Sequence, residues 1–324
     1  MMTPRTTEPI KQDQFPPAPA VAKCFRPPQP GAVITFRDKQ YTVGPLIGEG
    51  GFGQVFQCTD DWHNSLVAKV IVPKGRTYEQ VRDCWLRELR NLVELRHPNI
   101  TFVYDAFECD DTFYIIVEQC SQTMTSLIQW PKLKPELWIM PIAKCILQAI
   151  HFIHSRGYIH KDIHPGNVFT HYVFDEMIGA KQSAVVFKLG DLGISRLLPE
   201  MDVFNTLLAQ WMLPPEALAP NDFGALSTQV DVYHFGLLLL SLLQKKIPSF
   251  SQDEILEGKP RVEAEELNHK FSPAIAKALR RHVLQRTQTA LEFWYDLVEC
   301  NRASPILPSI SNSAPIDGNP SVAK

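Results

Sequence analysis

The chain lacks several features that mark common classes of protein. It has seven cysteines in 324 residues and no CxxC pair, which argues against a disulfide scaffold or a zinc ribbon. So sparse a cysteine content favours a reducing, cytoplasmic location. Lysine and arginine number 32 against 35 aspartates and glutamates, and the net charge of −3 gives no sign of a nucleic-acid partner.

Long apolar runs are also missing. The first twenty residues contain no hydrophobic stretch of the kind that a secretory signal requires. The most hydrophobic run lies near residues 232–243, and its continuous apolar part covers only 236–240. A membrane-spanning helix needs about 20 apolar residues, so the sequence predicts no membrane segment.

Proline and serine are concentrated at the two ends of the chain. Eight prolines fall within residues 1–31, and we expect 1–32 to form a disordered proline-rich arm. This arm is either a plain flexible extension or a ligand for a proline-reading partner. Residues 300–324 are rich in serine and proline, and we expect a disordered tail there. The structured unit is therefore predicted over 33–299.

Within this unit the hydrophobic pattern changes from strand-like to helical. Short runs rich in Val, Ile, Phe and Tyr fill residues 33–117, and one amphipathic helix is predicted among them over Tyr78–Leu95. After Val117 the patterns are mostly helical, with helices predicted over 135–156, 227–243, 272–284 and 289–300. This order predicts an α+β fold of two lobes, an N-lobe over 33–117 and a C-lobe over 121–299, with a cleft between them.

A glycine-rich turn follows the pattern G-x-G-x-x-G-x-V. It consists of Ile47, Gly48, Glu49, Gly50, Gly51, Phe52, Gly53, Gln54 and Val55. A strand-like run follows the glycines, whereas in a dinucleotide-binding fold a helix follows them directly. A glycine loop between two strands can lay its backbone N–H groups over phosphates without steric obstruction.

Charged residues then follow in a fixed order. Lys69 lies in the apolar run 65–71, where a charge needs a partner or a ligand, and Glu88 lies on the predicted 78–95 helix. Further along stand the motifs HKDIHPGNVF at 160–169 and KLGDLG at 188–193. With these motifs in this order, the chain resembles the protein kinase superfamily over about residues 36–298. The Pro-Pro-Glu triplet ending at Glu216 and the helix start at Asp231 fit the same resemblance. Arg286 lies where the family places the arginine that pairs with the glutamate of that triplet.

The resemblance implies ATP and Mg²⁺ as cofactors and a protein as substrate. It implies that Lys69 holds the α and β phosphates and is oriented by Glu88, and that Asp162 accepts the proton of the substrate hydroxyl. It further implies that Asn167 and Asp191 hold Mg²⁺. The adenine pocket that it implies is formed, besides the glycine turn, by Val67, Val117, Glu118, Cys120 and Phe169.

The catalytic loop departs from the pattern of the family. His164 replaces the lysine that stabilises the transferring phosphate, and Lys161 replaces an arginine that pairs with a phosphorylated activation loop. The loop D-x-H-P-G-N at 162–167 is similar to that of aminoglycoside and choline phosphotransferases, and a histidine can still donate to a phosphate oxygen. We therefore expect an active enzyme that depends little on phosphorylation of Ser195 or Thr206.

Three functions stay open at this stage. The leading one is a Mg·ATP-dependent protein kinase, and we favour serine/threonine over tyrosine as its target on frequency alone. The alternative is a pseudokinase scaffold that binds nucleotide weakly or not at all. It is favoured by His164 and by Val67 and Phe169, which are bulkier than usual in the adenine pocket. A small-molecule phosphotransferase is suggested by the 162–167 loop alone. Between Asn167 and Asp191 the chain is roughly ten residues longer than in the family, and we predict an extended hairpin over 170–186.

Overall fold

The structure is a computed structural model that describes Lys23 and residues 25–49, 53–174, 183–191, 196–197 and 212–303. Its N-terminal lobe is built on one antiparallel sheet of six strands in the order β1-β2-β3-β4-β6-β5. The strands are β1 Val33–Phe36, β2 Lys39–Glu49, β3 Gly53–Asp60, β4 Ser65–Ile71, β5 Val103–Cys109 and β6 Thr112–Glu118.

Alternation along β4 decides where Lys69 lies. Leu66, Ala68 and Val70 are buried in one core cluster of the N-lobe. Because successive side chains of a strand point to opposite faces, Lys69 points to the other side of the sheet. The helix α1, Tyr78–Glu94, lies on that side, where Val81 packs in a small cluster with Ile71 and Phe113.

The start of α1 is fixed by its own sequence and its orientation by the sheet. The Thr77 hydroxyl accepts from the Gln80 backbone N–H while the Gln80 side chain accepts from the Thr77 N–H, a capping box. The Trp85 indole donates to the Tyr114 carbonyl of β6 at 2.9 Å. Glu88 follows Trp85 by three residues, so the helical period places both on the face turned to the sheet.

The C-terminal lobe is mainly helical. Its described helices are α2 Met124–Ile128, α3 Pro135–Ser155, α4 Pro215–Leu218, α5 Pro220–Phe223, α6 Gln229–Gln244, α7 Gln252–Glu257, α8 Lys259–Glu266, α9 Ser272–Ala278 and α10 Ala290–Arg302. Helix α3 is long and apolar enough to cross a membrane by length and composition alone. Its residues Ile139, Ile142, Ile146 and Ile150 are nevertheless fully buried within the lobe, as in a core helix.

Two small sheets line the junction of the lobes. Strands β7 Gln122–Thr123, β9 Val168–Phe174 and β10 Ser183–Leu189 form one, and β8 Tyr158–Ile159 pairs with β11 Arg196–Leu197 in the other. Strands β9 and β10 pair from Val168 opposite Leu189 to Phe174 opposite Ser183. The predicted extended hairpin is therefore present, and its predicted tip around Gly179–Gln182 lies outside the described residues.

The α+β architecture with two lobes is as predicted, but one predicted helix is wrong at its end. Helix α9 stops at Ala278 instead of continuing to 284, and a 3-10 helix follows at Val283–Gln285. The reason is tertiary: the carbonyls of Arg280 and Arg281 accept hydrogen bonds from the Arg286 side chain. These contacts take the place of the next helical turn, and the buried ion pair of Arg286 with Glu216, 70 residues away in sequence, holds the Arg286 side chain there.

The part of the N-terminal arm that the structure describes lies against the N-lobe. The Arg26 backbone N–H donates to the Thr112 hydroxyl, and that hydroxyl donates to the Arg26 carbonyl. Lys23 forms an ion pair of 2.8 Å with Asp111, and Phe25 packs against the sheet's core cluster. The remainder of the predicted arm and the tail from 304 onwards lie outside the described residues.

Candidate active site

Three charged residues meet in the cleft between the lobes. Lys69 Nζ lies 2.5 Å from Glu88 Oε1 and 3.0 Å from Asp191 Oδ1. Lys69 comes from β4, Glu88 from α1, and Asp191 follows β10. Residues 122 positions apart in sequence thus form one contact set, which joins the two lobes at the position where sequence analysis places a phosphate-binding lysine.

The environment keeps this lysine charged. Burial works against the ammonium, but Asp191 and Glu88 outweigh it and hold the pKa of Lys69 above its ordinary value. Burial also raises the pKa of Glu88, which the contact with Lys69 opposes. The 2.5 Å contact holds the two side chains together as one buried pair. Lys69 therefore presents a fixed positive charge to an anion entering the cleft.

Asp162 and Asn167 face each other within the catalytic loop. The Asn167 side-chain amide donates to the Asp162 carboxylate at 3.1 Å and to the Asp162 carbonyl at 3.0 Å. Both hydrogen bonds use the amide nitrogen, so the amide oxygen of Asn167 is the atom oriented for use as a ligand. One side chain thus positions the carboxylate and presents an oxygen to a cation.

His164 bends back over the same loop. Its Nδ1 accepts from the Gly166 backbone N–H at 3.0 Å, which leaves the proton of the neutral ring on Nε2. Nε2 lies 3.7 Å from Asp162 Oδ1. Gly166 is required for this arrangement, because a Cβ at 166 would lie 2.7 Å from His164 Cε1. The loop therefore fixes His164 as a donor beside the Asp162 carboxylate.

Electrostatics tune Asp162 for proton transfer. Burial raises the pKa of Asp162, His164 and His160 oppose this, and the nearby Asp191 adds to it. Burial likewise lowers the pKa of His164, against the attraction of Asp162. A carboxylate with a raised pKa is a stronger base than an exposed one, which suits it to accept a hydroxyl proton.

The buried carboxylate of Asp231 on α6 holds the backbone of the catalytic loop. Asp231 accepts from the backbone N–H groups of His160 and Lys161 at 2.9 and 2.8 Å, and from His154 Nε2 at 2.8 Å. Burial opposes the Asp231 anion, but these donors outweigh it and lower its pKa. They also hold the left-handed backbone of Lys161, at φ 68°, a conformation that costs a non-glycine residue about 1–3 kcal/mol.

His160 connects this loop to the segment that carries Asp191. Its Nδ1 accepts from the Asp162 N–H at 3.2 Å, and its Nε2 donates to the Gly190 carbonyl at 3.0 Å. This role of His160, and the contact of His154 with Asp231, were not predicted from the sequence. The position of His160 two residues before Asp162 was the available signal, whereas nothing in the sequence connects His154 to the site.

Oxygen donors for a divalent cation come from two separate strand ends. Asn167 precedes β9 and Asp191 follows β10, and paired β9 and β10 bring these ends together. Over the ranges that the structure describes, no three His, Cys, Asp or Glu side chains gather as a complete metal site. Two oxygen ligands suit Mg²⁺, which is usually bound by one or two protein groups together with phosphate oxygens and water.

Three apolar residues predicted for the adenine pocket lie on strands of the two lobes. Val67 and Val117 are directly opposite each other on β4 and β6, and Phe169 lies on β9. Gly190 makes room for the larger ring, because a Cβ at 190 would lie 2.6 Å from Phe169 Cε2. Because residue 190 has no side chain, part of the Phe169 ring fits into the space beside it.

The connection between the lobes is held by a polar pair. The Glu118 carboxylate accepts from Lys188 Nζ at 2.7 Å and from the Phe102 backbone N–H at 2.7 Å. Burial raises the pKa of Cys120 to about 12, so its thiol is protonated at neutral pH. None of the residues with a described position accepts from the Cys120 backbone N–H. That donor is available to a ligand.

The glycine-rich turn is described only at its two flanks. Ile47, Gly48 and Glu49 end β2, while Gly53, Gln54 and Val55 begin β3, with Gly48 opposite Val55 and Glu49 opposite Gln54. Gly53 is sterically obligatory, because a Cβ there would lie 2.1 Å from the Val70 carbonyl oxygen. Gly50, Gly51 and Phe52 lie outside the described residues. The turn therefore connects two strands, as predicted.

Comparison with known proteins agrees with this geometry. A family model described as protein kinase domain matches residues 41–303 of the chain. The chain belongs to the protein kinase family. The cell cycle serine/threonine-protein kinase CDC5/MSD2 of Saccharomyces cerevisiae is 32% identical over 235 residues, which are 72% of this chain and 31% of that protein. Cyclin-dependent kinase-like 4 of Mus musculus is 28% identical over 208 residues, 63% of this chain and 57% of that protein.

The serine/threonine-protein kinase TAO2 of Homo sapiens is 26% identical over 212 residues, 64% of this chain and 16% of that protein. The chain thus covers less than two thirds of the length of each of these relatives. What they have in common with it is the kinase domain.

A second ion pair anchors the end of the kinase activation segment. Arg286 donates to Glu216 Oε1 at 2.6 Å and to Oε2 at 2.7 Å, and both side chains are fully buried. The pairing of these two residues was predicted from the resemblance and is confirmed. His234 Nε2 donates to the Met212 carbonyl at 2.9 Å, two residues before the Pro-Pro-Glu triplet. Leu192, Ser195 and Thr206 of this segment lie outside the described residues.

Proposed function

We propose that this protein transfers the γ-phosphoryl group of Mg·ATP to a serine or threonine hydroxyl of a protein substrate. The observation that carries the proposal is the closed contact of Lys69 with both Glu88 and Asp191. An enzyme of this kind needs the lysine and the metal-binding aspartate in place together, because its catalysis consists mainly of positioning and charge neutralisation. Serine/threonine specificity is proposed from the printed names of the relatives.

The binding residues have complementary tasks in this proposal. Lys69 offsets the charge of the α and β phosphates, and Glu88 holds it in position. Asp191 and the Asn167 oxygen hold Mg²⁺, which supplies charge neutralisation at the phosphates when bound. The Cys120 backbone N–H and the apolar side chains of Val67, Val117 and Phe169 contact adenine. The N–H groups of the glycine turn 48–53 cover the phosphates.

Two residues of the catalytic loop act on the transferring group. The substrate hydroxyl oxygen forms a bond to the γ phosphorus while the bond from phosphorus to the leaving oxygen of ADP breaks, and Asp162 accepts the hydroxyl proton. His164 donates from Nε2 to a γ-phosphate oxygen, because Gly166 occupies its other ring nitrogen. A donor at this position stabilises the charge that develops during transfer.

The second candidate is a kinase-shaped scaffold that does not catalyse transfer. Val67 is its main support, since Gly190 leaves room for Phe169, whereas Val67 stands opposite another valine, Val117. A small-molecule phosphotransferase has less support. The sealed Glu216–Arg286 pair fixes the segment that, by the resemblance, belongs to an architecture for protein substrates.

The test is transfer of radiolabel from γ-labelled Mg·ATP to the protein itself and to a generic protein substrate. Asp162→Asn is the matched control, because it is nearly isosteric and removes only the base. We expect incorporation in the natural chain, its loss in Asp162→Asn, and phosphoserine or phosphothreonine on phosphoamino-acid analysis.

A thermal shift measurement with Mg·ATP separates the remaining outcomes. No incorporation together with a clear thermal shift would leave a nucleotide-binding scaffold, and the absence of both would leave a scaffold without nucleotide. Phosphotyrosine as the sole product would contradict the specificity. Label transferred to small alcohols or amino sugars but to no protein would establish the small-molecule enzyme.

We propose that the protein lies in the cytoplasm. The six cysteines that the structure describes are all free thiols, which suits a reducing cytoplasm. A proline-reading partner for the arm 1–32 also stays a prediction, and so do the domain limits at 33 and 299.

A further inference from the structure

A cationic cavity lies on the C-lobe, on elements that carry none of the proposed catalytic residues. It has a volume of about 360 Å³ and lies where α7 meets α8 and where α9 ends. Its lining contains three arginines and a single carboxylate: Glu257, Arg261, Arg280, Arg281, His282 and Gln285.

The positive charge of this cavity is only partly neutralised. Arg261 has a counter-ion in Glu265 at 2.9 Å. Arg280 donates to the Gln285 carbonyl at 3.1 Å, and Arg281 donates to the Leu256 carbonyl at 2.6 Å. Within the part of the chain that the structure describes, no carboxylate lies within 4.0 Å of either guanidinium. Two adjacent like charges with neutral partners attract an anion.

The backbone beneath these two arginines is held in place. Arg286 donates from Nε to the Arg280 carbonyl at 2.9 Å and from Nη2 to the Arg281 carbonyl at 3.2 Å. Arg286 is itself fixed by its buried pair with Glu216. The Arg281 side chain also lies close against Gly258, where a Cβ would approach its Cδ to 3.1 Å. A pre-organised pair of donors loses less conformational entropy when it binds a ligand.

An exposed apolar residue lies, in the sequence, between two residues that line the cationic cavity. Leu284, in the 3-10 helix between His282 and Gln285, is 89% exposed, the highest value among the large apolar residues described. A free anion would make no use of such a residue. A peptide segment that carries both a charged group and an apolar side chain would use both.

We propose that this cavity binds the phosphoryl group of a phosphorylated serine or threonine in a segment of a partner protein. Arg280 and Arg281 donate to the phosphate oxygens, and Leu284 contacts an apolar residue of the same segment. Two guanidinium forks match a group with three acceptor oxygens and a charge near −2. This binding function is separate from phosphoryl transfer and is measured without it.

The test uses the full chain carrying Asp162→Asn, so that no peptide is phosphorylated during the measurement. Fluorescence polarisation compares a labelled peptide library, degenerate around a central phosphoserine, with matched libraries that have serine or glutamate at that position. We expect the phosphoserine library to bind at least about tenfold more tightly than the serine library.

Variants assign this binding to the cavity. We expect Arg280→Gln to weaken binding about tenfold and Leu284→Ser to weaken it about threefold. The matched control is Arg302→Gln, which removes one charge from an exposed arginine at the end of α10 and should leave binding unchanged. Because Arg281 also holds the Leu256 carbonyl, it is tested as Arg281→Lys, with a thermal melt to show that the fold is intact.

Several outcomes would overturn the proposal. Equal binding of the phosphoserine and serine libraries, or no binding of either, removes the phosphate site. Equal binding of the glutamate library would show an acidic docking surface instead. Unchanged affinity in a folded Arg280→Gln variant would place the binding elsewhere. An RNA oligonucleotide that competes at lower concentration than the peptides would identify a nucleic-acid site.

Discussion

The two buried ion pairs of this kinase domain differ in what surrounds them. The Glu216–Arg286 pair in the C-lobe is bidentate and fully sealed from solvent. The Lys69–Glu88 pair in the cleft has a single contact, a second carboxylate at 3.0 Å, and a lysine that is 15% exposed. In the first pair every strong donor is used within the protein, whereas in the second the lysine is accessible to a ligand.

This difference separates a structural role from a chemical one. A sealed pair can only hold elements together, and here it connects the end of the activation segment to the loop before α10. An accessible lysine whose pKa is held above its ordinary value can serve a phosphate at any physiological pH. Substitutions in the two pairs should therefore change different measurable quantities.

The largest effect is expected on stability, at the sealed pair. Arg286→Met removes one partner and leaves Glu216 buried without its counter-charge, which should lower the free energy of unfolding by about 3–5 kcal/mol. Chemical denaturation monitored by circular dichroism measures this. A loss below about 1 kcal/mol, the value typical of an exposed pair, would show that the pair is not a major structural contact.

At the accessible pair we expect a large loss of activity and a smaller loss of stability. Lys69→Met should lower kcat by about a hundredfold or more, because it removes a charge that stabilises the phosphates. The free energy of unfolding should fall less in Lys69→Met than in Arg286→Met. The reason is that burial already raises the pKa of Glu88, so this carboxylate can take up a proton when the lysine is removed. Steady-state kinetics and denaturation of the same sample give both numbers.

Lys132→Met, at an exposed position of the C-lobe, is the control for Lys69→Met. It should change neither quantity. If Lys69→Met proved as unstable as Arg286→Met, the proposed distinction between the two pairs would be lost.

The pH dependence of stability should report on His234, a buried residue that donates to the Met212 carbonyl just before the Pro-Pro-Glu triplet. Burial lowers the pKa of His234 to about 4, below its ordinary value of 6.5. The unfolded chain takes up a proton there below about pH 6.5 and the folded chain does not, so stability falls as the pH falls from 6.5 towards 4. The loss from this group is of the order of 3 kcal/mol.

His234→Gln keeps a donor for the Met212 carbonyl but cannot titrate. Denaturation at pH 7 and pH 5 should show a flatter pH dependence in this variant than in the natural chain. Because the pKa values of His97, His164 and His269 are also lowered, only the difference between the two proteins reports on His234. Parallel pH curves would contradict the assignment.

The smallest effect is expected in the catalytic loop. Gly166→Ala places a Cβ 2.7 Å from His164 Cε1 and should displace the ring, lowering kcat about tenfold. In a protein that already carries His164→Ala, the same substitution should have little further effect. Kinetics of the two single variants and the double variant form the test, and additive losses would show that Gly166 acts on something other than His164.

Local patterns predicted most of the elements but not all of their limits. Strands β1 and β4 and helix α1 follow from runs rich in β-branched residues and from helical period, both of which act over a few residues. The end of α9 could not be predicted in this way, because the carbonyls of Arg280 and Arg281, just after the helix, accept from Arg286, which the distant Glu216 holds in place. Helices α7 and α8 are short and carry no long apolar stripe, and they escaped prediction.

The candidate site likewise contains residues that could be predicted from the sequence and contacts that could not. Lys69, Glu88, Asp162, Asn167 and Asp191 were predicted because the motifs that carry them resemble those of protein kinases, whose phosphoryl transfer uses those residue types. The support that Asp231 receives from His154, and the bond of His160 to the Gly190 carbonyl, were not identified. Each joins segments far apart in sequence, and the residue types alone do not specify such partners.

The sequence by itself determined the family, the two-lobed α+β fold and the identities of the residues placed in the cleft, since these depend on short motifs and local periodicity. Only the tertiary structure decided which charges are sealed and which stay accessible, how Gly190 accommodates Phe169, and that Arg280 and Arg281 line one cavity. Those features depend on burial and on contacts between distant segments, and both exist only once the chain has folded.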